Sequence, residues 1–173
     1  MSETLSATMA RPRTPILEFD ALYRTACADV YAYVFSLVGD AATADDVTAQ
    51  AFERAYRKRR SFDPGRGTPR QWLFTIARNA GLDELRRRKR AATPVADAGV
   101  TVAAPATAGP DDDRAAAVRT AIASLAPRER DLIALKFYAG LSNAEIAATL
   151  GISETNAGTR IHRALGSLRE ACS

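Results

Sequence analysis

Residues 140–170 constrain this chain more than any other stretch. Ser142 and Glu145 stand in S-x-x-E spacing, in which the hydroxyl and the carboxylate satisfy the unpaired N–H groups at a helix start. Ile146, Ala147 and Leu150 follow at helical spacing, and Gly151 is the residue that can turn the chain out of that helix. Ser153 is placed to cap a second helix, with Ala157, Ile161, Ala164, Leu165 and Leu168 on one face. The opposite face then carries Thr155, Asn156, Thr159, His162 and Arg163, with Arg160 on the flank. Two helices joined by a short glycine turn, the second bearing cations, make a helix-turn-helix, whose use is to lay the second helix in a major groove.

The rest of the chain has to provide a setting for that motif. Its 173 residues suffice for one domain or two small ones. The net charge of +4 is unevenly placed: residues 16–91 hold 14 Lys and Arg against 10 Asp and Glu, whereas residues 111–173 hold 8 of each sign. The excess sits in Arg57-Lys-Arg-Arg60 and in Arg86-Arg-Arg-Lys-Arg90. Either cluster alone fits a solvated helix end, but two of them beside a helix-turn-helix favour a phosphate backbone as partner. Cys27 and Cys172 are far apart and in no ligand pattern, and His162 is the one histidine, so no metal site, cofactor or His-based catalytic group is expected. No apolar run approaches the ~20 residues of a membrane span and no signal peptide opens the chain, so no membrane insertion and a cytoplasmic location are expected.

Taken in order, residues 1–15 lack apolar periodicity and read as a disordered tail. Phe19, Leu22, Tyr23, Ala26, Val30, Val34 and Leu37 predict a helix over 16–38, ended by Gly39. A second helix is expected from about Thr43, with Asp45 and Asp46 in its first turn, where the helix dipole favours acids. It continues through Val47, Phe52, Ala55 and Tyr56 to Arg60. Ser61 to Gly67 reads as a loop on its turn chemistry. Thr68, Pro69 and Gln71 then open a third helix as N-cap, first residue and capping-box partner, with Trp72, Leu73, Ile76, Ala77, Ala80 and Leu85 buried. Residues 92–110 are rich in Ala, Thr, Val and Pro and poor in large apolar groups, as a flexible linker is. Asp111–Asp113 should cap a helix striped by Val118, Ile122 and Leu125, and Pro127 should begin another over 128–138 with Leu132, Ile133 and Leu135 inward.

The fold class is therefore all-α. Two small helical domains, at 16–91 and 114–173, are joined by a linker at 92–113 and preceded by the tail. At this point the residues resemble a family. Leu125 to Ser153, continued by Thr159 to Leu165, resembles region four of bacterial sigma factors, and Ala44 to Tyr56, Trp72 to Asn79 and Asp83 to Arg88 resemble region two. Both in this order across a linker is the pattern of the extracytoplasmic-function (ECF) sigma factors.

The resemblance implies a non-enzymatic subunit that binds core RNA polymerase, directs it to promoter DNA and helps melt it. It implies that Asp45, Asp46 and Gln50 dock on the clamp helices of the largest polymerase subunit, and that the second domain meets the flap of the second-largest. Relatives commonly carry Gln then Glu where this chain has Ala49 then Gln50, so one acidic contact is absent from the usual set. Phe62 and Arg66 of the loop, with Asn79 and Asp83, correspond to the part that captures the minus-ten element, and Arg86, Arg87 and Arg88 would hold phosphates nearby. Trp72 shares the apolar face of its helix and reads as core. Thr155, Asn156, Thr159, Arg160, His162 and Arg163 are the expected minus-thirty-five residues, Arg163 suiting guanine and Asn156 adenine or a phosphate. Gly158 stands where relatives commonly have Lys or Arg. An anti-sigma factor covering polymerase-binding surfaces of both domains is the further partner the resemblance implies.

Two other classes fit less well. An activator with a sensor domain needs a ligand pocket or phosphoacceptor, which 16–91 does not offer. An enzyme acting on nucleic acid needs a carboxylate cluster or an activated nucleophile, and the acids here fall at first-turn and surface positions.

Overall fold

The computed structural model describes residues 17–92, 118, 120–122 and 124–171. The expected tail, most of the linker, Asp111–Asp113 and Cys172 lie outside the described residues. Within them there are helices and turns and no strand, in line with the all-α expectation.

The first unit is a three-helix bundle of α1 (Phe19–Val38), α2 (Ala41–Lys58) and α3 (Pro69–Ala91). Ala44, Ala51 and Ala55 line the inner face of α2, and side chains this small let it approach its neighbours closely. Val30 and Val34 of α1 and Leu73 and Phe74 of α3 fill the space between. The α1 stripe differs from its expectation at three places. Tyr33 and Val38 are buried, whereas Tyr23 is about half exposed at 47% and rests its ring edge on Phe52 at 4.8 Å. Tyr56 on α2 is exposed, and the Arg59 guanidinium lies 3.8 Å over its ring. Cys27 is a half-buried free thiol.

Helix α2 starts two residues before Thr43. Asp40 is its N-cap, accepting from the Thr43 N–H at 2.9 Å and from the Thr43 hydroxyl at 2.6 Å. Those bonds, the hydroxyl's first, hold the Asp40 carboxyl below its ordinary range. Asp45 and Asp46 therefore stand in the second turn, correcting the first-turn expectation. The dipole gives them little there, because its field falls off within one turn. Helix α3 begins as expected, Thr68 accepting from the Gln71 N–H at 3.2 Å with Pro69 first. The Gln71 side chain departs from the expected capping box: it is buried, and its amide donates to the Glu145 carbonyl oxygen at 3.4 Å.

The second unit comprises α4 (Pro127–Phe137), α5 (Asn143–Leu150) and α6 (Glu154–Ala171), with Ala121 and Leu125 buried beneath them. Leu132, Ile133 and Leu135 of α4 are inward as expected. The capping box of α5 is complete: Ser142 Oγ accepts from the Glu145 N–H at 3.2 Å, and Glu145 accepts from the Ser142 N–H at 2.8 Å. Gly151 closes α5 in the left-handed region at φ 67°, and Ser153 caps α6 by accepting from the Asn156 N–H at 3.2 Å.

The two units share one apolar core and a polar seam. Tyr33 donates from its hydroxyl to Asp131 Oδ1 at 2.8 Å, and Arg78 Nε donates to Asp131 Oδ2 at 2.8 Å. Asp131 is buried, and a buried carboxylate is tolerated only when partnered in this way. Burial, followed by the Asp131 charge, pushes the Tyr33 phenol well above its usual range, so it remains a neutral donor. Arg70 donates to the Asp29 carboxylate at 2.5 Å, to the Tyr138 carbonyl oxygen at 2.9 Å and to that of Ala139. Thr68 donates to Glu145 Oε1 at 2.7 Å.

Glu145 thus serves its own helix start and the seam together. Burial raises its carboxyl pKa, but bonds from the Ser142 N–H, the Thr68 hydroxyl and the Ser142 side chain outweigh this, leaving it below the ordinary value of 4.5. A group lowered on folding contributes its full stability above the unfolded value, and that stability is lost as pH falls through the folded value. Melting temperatures recorded from about pH 6 down to about pH 3 should therefore fall, and Glu145→Gln should remove part of that slope. An unchanged slope in the variant would take Glu145 out of the account.

Candidate nucleic-acid interface

Three buried residues, Ala157, Ile161 and Ala164, hold α6 against the second unit, with Leu165 and Leu168 partly covered at their margin. The opposite face is open: Thr155, Asn156, Thr159, His162 and Arg163 are all exposed, and Arg160 is half-buried on the flank. The sequence-derived face is thus brought together on one side of one helix. The side chains of Thr155, Asn156, His162 and Arg163 offer donors and acceptors to a groove; the Thr159 hydroxyl instead donates to the Thr155 carbonyl at 2.9 Å.

Gly158 lies on a different side. A Cβ built there would meet Asn143 Nδ2 at 3.4 Å, an ordinary contact, and Asn143 in turn accepts from Lys136 Nζ at 3.2 Å. The position faces the neighbouring helix and has room for a methyl group. Gly158→Ala should therefore raise the stability of the second unit by about 0.5–1 kcal/mol through helix propensity. Thermal or urea unfolding checks this, and a loss of stability would show that the contact with Asn143 is tighter than the geometry gives.

A cavity of about 390 Å³ lies at the entrance to α3, walled by Phe62, Arg66, Gln71, Trp72, Thr75 and Ala148 among others. Its chain is not a bare loop: Arg59–Ser61 and Pro64–Arg66 are single 3-10 turns, and Asp63 accepts from the Gly65 N–H at 2.9 Å. Phe62 is buried, with its ring edge-on to Trp72 at 5.6 Å. Trp72 packs against the core as expected, and Phe62 is buried beside it rather than open in the loop. Both rings line the cavity, Phe62 buried and Trp72 half-buried. Gly67, at φ 153°, lies so close to the Gln71 side-chain oxygen that a Cβ there would require the Gln71 side chain to shift.

Asn79 and Asp83 are exposed one turn apart along α3. Asp83 is held between Arg54 at 3.5 Å and Arg86 at 3.1 Å. Arg87 forks onto both oxygens of Glu84 at 2.8 Å, and this pairing, set against burial, holds the Glu84 carboxyl low. Exposed pairs of this kind are worth at most about 1 kcal/mol, so Arg86 and Arg87 can exchange them for phosphates. Arg88 is different. It is half-buried and reaches Glu84 at 3.1 Å, Asp40 at 3.4 Å and the Thr43 hydroxyl, pinning the end of α3 to the start of α2.

Asp45, Asp46 and Gln50 form one exposed stripe along α2 with Ala49 between them. On the second unit an apolar groove of about 240 Å³ runs between Val118, Ile133, Phe137, Leu165 and Leu168, with Phe137 63% exposed at its lip.

The sequence reading missed Tyr33, Arg70, Gln71 and Asp131, which carry the seam. Two of them left a local signal. Arg70 is a cation in the first turn of a helix, where the dipole opposes it, so it requires an acceptor from elsewhere. Asp131 shares an inward face with Leu135, four residues on, where an acid requires a partner. No helix of the described residues is long and apolar enough to cross a membrane, and no group of His, Cys, Asp and Glu among them could hold a metal ion.

Comparison with known proteins gives a consistent picture. Residues 22–91 match the family Sigma-70 region 2, and residues 115–168 match Sigma-70, region 4. The ECF RNA polymerase sigma factor SigL of Mycobacterium tuberculosis is 36% identical over 153 residues, which is 86% of this chain and 85% of SigL. Among solved structures, the sigma factor RpoE in complex with the anti-sigma factor NepR from Bartonella quintana has a TM-score of 0.69 at 24% identity, covering 89% of this chain and 96% of RpoE. CnrH in complex with the cytosolic domain of CnrY has a TM-score of 0.63 at 26% identity, covering 88% of this chain and 85% of CnrH.

Proposed function

The chain belongs to the sigma-70 family, as an extracytoplasmic-function sigma factor, and from that membership we propose how its surfaces direct core RNA polymerase to a promoter. The polar stripe Asp45, Asp46 and Gln50 docks on the clamp helices of the largest subunit, and the apolar groove beside Phe137 receives the flap of the second-largest. Helix α6 enters the major groove at the minus-thirty-five element, with Asn156, His162 and Arg163 on base edges and Arg160 on phosphate. The domains divide at the linker, residues 16–91 serving polymerase and the minus-ten element and residues 114–173 the upstream element.

At the minus-ten element the cavity beside Trp72 takes one unstacked base. Flipping a base out of the duplex costs a few kcal/mol, and stacking on one aromatic side chain returns about 1–3 kcal/mol. One cavity thus roughly offsets one base, and opening a longer segment draws on the binding energy of the holoenzyme. Arg66 and Gln71 can hydrogen-bond the captured base, while Asn79 and Asp83 meet its neighbours. The chain carries out no reaction itself, and its place of work is the cytoplasm, with the polymerase. In the similar structures RpoE is bound by the anti-sigma factor NepR and CnrH by the cytosolic domain of CnrY, and an anti-sigma factor covering polymerase-binding surfaces is the partner proposed here too.

The observation that carries this reading is the α6 face: five exposed polar residues on a helix pinned by three buried ones. Run-off transcription with core polymerase over a promoter library tests it. Initiation at a defined two-element promoter is the expected result, and no initiation from any promoter would sink it.

A further inference from the structure

From the flank where α2 meets α3 we infer that Asp83 selects a minus-ten base carrying an exocyclic amino group, and that Arg54 of α2 is the residue that positions it. The inference rests on the reading above for where α3 meets promoter DNA. The geometry of the carboxylate does not depend on that reading.

Asn79 and Asp83 are exposed one turn apart on α3, and they differ in what they can read. An Asn amide both donates and accepts, whereas a carboxylate only accepts. Asp83 therefore takes the amino hydrogens on cytosine N4 or adenine N6 and repels the oxygens at thymine O4 or guanine O6. The Asn79 amide has no such bias. Of the two, Asp83 is the residue that can divide amino-bearing bases from keto bases.

A bare carboxylate is a poor reader of DNA, because the strand phosphates repel it. Asp83 is not bare. Arg86 donates to its Oδ1 at 3.1 Å, and Arg54 stands 3.5 Å from its Oδ2. The two cations differ in origin. Arg86 lies on the same helix as Asp83, in the basic run that can turn to phosphates, whereas Arg54 comes from α2. Glu53, beside Arg54, is engaged by Arg57 at 2.7 Å, which leaves Arg54 to Asp83. When Arg86 exchanges its pair for a phosphate, Oδ1 is freed to accept from a base, while Arg54 keeps Oδ2 and fixes the direction of the carboxylate. Arg54 thus acts through Asp83: it offsets the charge and holds the reading oxygen in place. As a mere tie between helices the pair would contribute little, because its side chains are 45% and 55% exposed.

The test is run-off transcription by the holoenzyme on promoters carrying each of the four bases at every minus-ten position. At one position the unaltered chain should prefer cytosine or adenine over thymine and guanine by about 5-fold or more, the low end for one base contact. Replacing that cytosine by 2-pyrimidinone, or that adenine by purine, removes only the amino group and should remove the preference. A preference that survives would overturn the inference, and this arm stands whatever the variants do to folding. Asp83→Asn should turn the preference towards thymine and guanine, because an amide offers their oxygens a donor. Arg54→Ala should reduce the preference to under about 2-fold, and adding it to Asp83→Asn should change base choice no further. Arg54→Lys, which keeps a cation beside Asp83, should retain part of the preference. Equal weakening on all four bases by Arg54→Ala would make the pair a tie between helices and overturn the inference. So would the absence of any amino preference in a holoenzyme that initiates, a result that leaves the proposed function standing. A holoenzyme that initiates nowhere would sink the proposed function and this inference with it.

Discussion

Phe74→Ala should destabilise the free chain by about 3–5 kcal/mol, the range for removing a fully buried phenyl ring. The ring has no exposed surface and occupies the centre of the three-helix bundle, edge-on to Tyr33 at 5.5 Å. On its other side the Arg70 guanidinium lies 5.2 Å from the ring centroid. Deletion therefore leaves a cavity among α1 and α3 and withdraws support from two residues of the seam. Urea unfolding followed by the fluorescence of the single tryptophan, two positions away, reads the loss. With a slope of about 1–3 kcal/mol per molar urea, the midpoint should move by more than about 1 M. A loss under about 1 kcal/mol would show that neighbouring side chains collapse into the space, against the packing described.

The second large effect falls on promoter choice. Arg163→Ala should weaken recognition of one base pair in the upstream element by about 1–3 kcal/mol, close to 5–150-fold, if Arg163 forks onto a guanine. Arg160→Ala should act differently: its flank position suits phosphate, so binding should weaken by a similar factor on every sequence, and the salt slope should fall by about one unit. Competition between the intact promoter and single-base variants, repeated across salt concentrations, separates the two. Equal loss on all sequences for Arg163→Ala would move that residue to the backbone. The stability of α6 should change little in either variant, because both side chains leave the apolar face untouched.

Much of this site was legible residue by residue. Ser142, Glu145, Gly151 and Ser153 announced the helix-turn-helix because caps and turns are decided within a few residues of chain, and each forms the bond expected of it. The open face of α6 followed from spacing alone. The failures share one cause. Phe62 was read as a stacking group because it sits between turn residues, yet it is buried under Trp72 by a contact across the loop. The basic run gave Arg88 no sign of its contacts with Asp40 and Thr43, more than forty residues away. Asp45 and Asp46 fall outside the first turn because Asp40 caps the helix and starts it at Ala41.

What the sequence determined by itself is therefore the local grammar: the helices, the caps Thr68, Ser142 and Ser153, the helix-turn-helix, the face of α6 and membership in a two-domain family. Each of these depends on periodicity or on hydrogen bonds closed within one or two turns. What only the tertiary structure decided is the seam. Tyr33 and Asp131 are 98 residues apart, and nothing near either one announces the other. Whether a polar group on a helix is wet or buried depends on what packs against it, and that is a property of the folded chain. The packing of the two units depends on that long-range pairing, just as the exposed face of α6 depends on the short-range pattern.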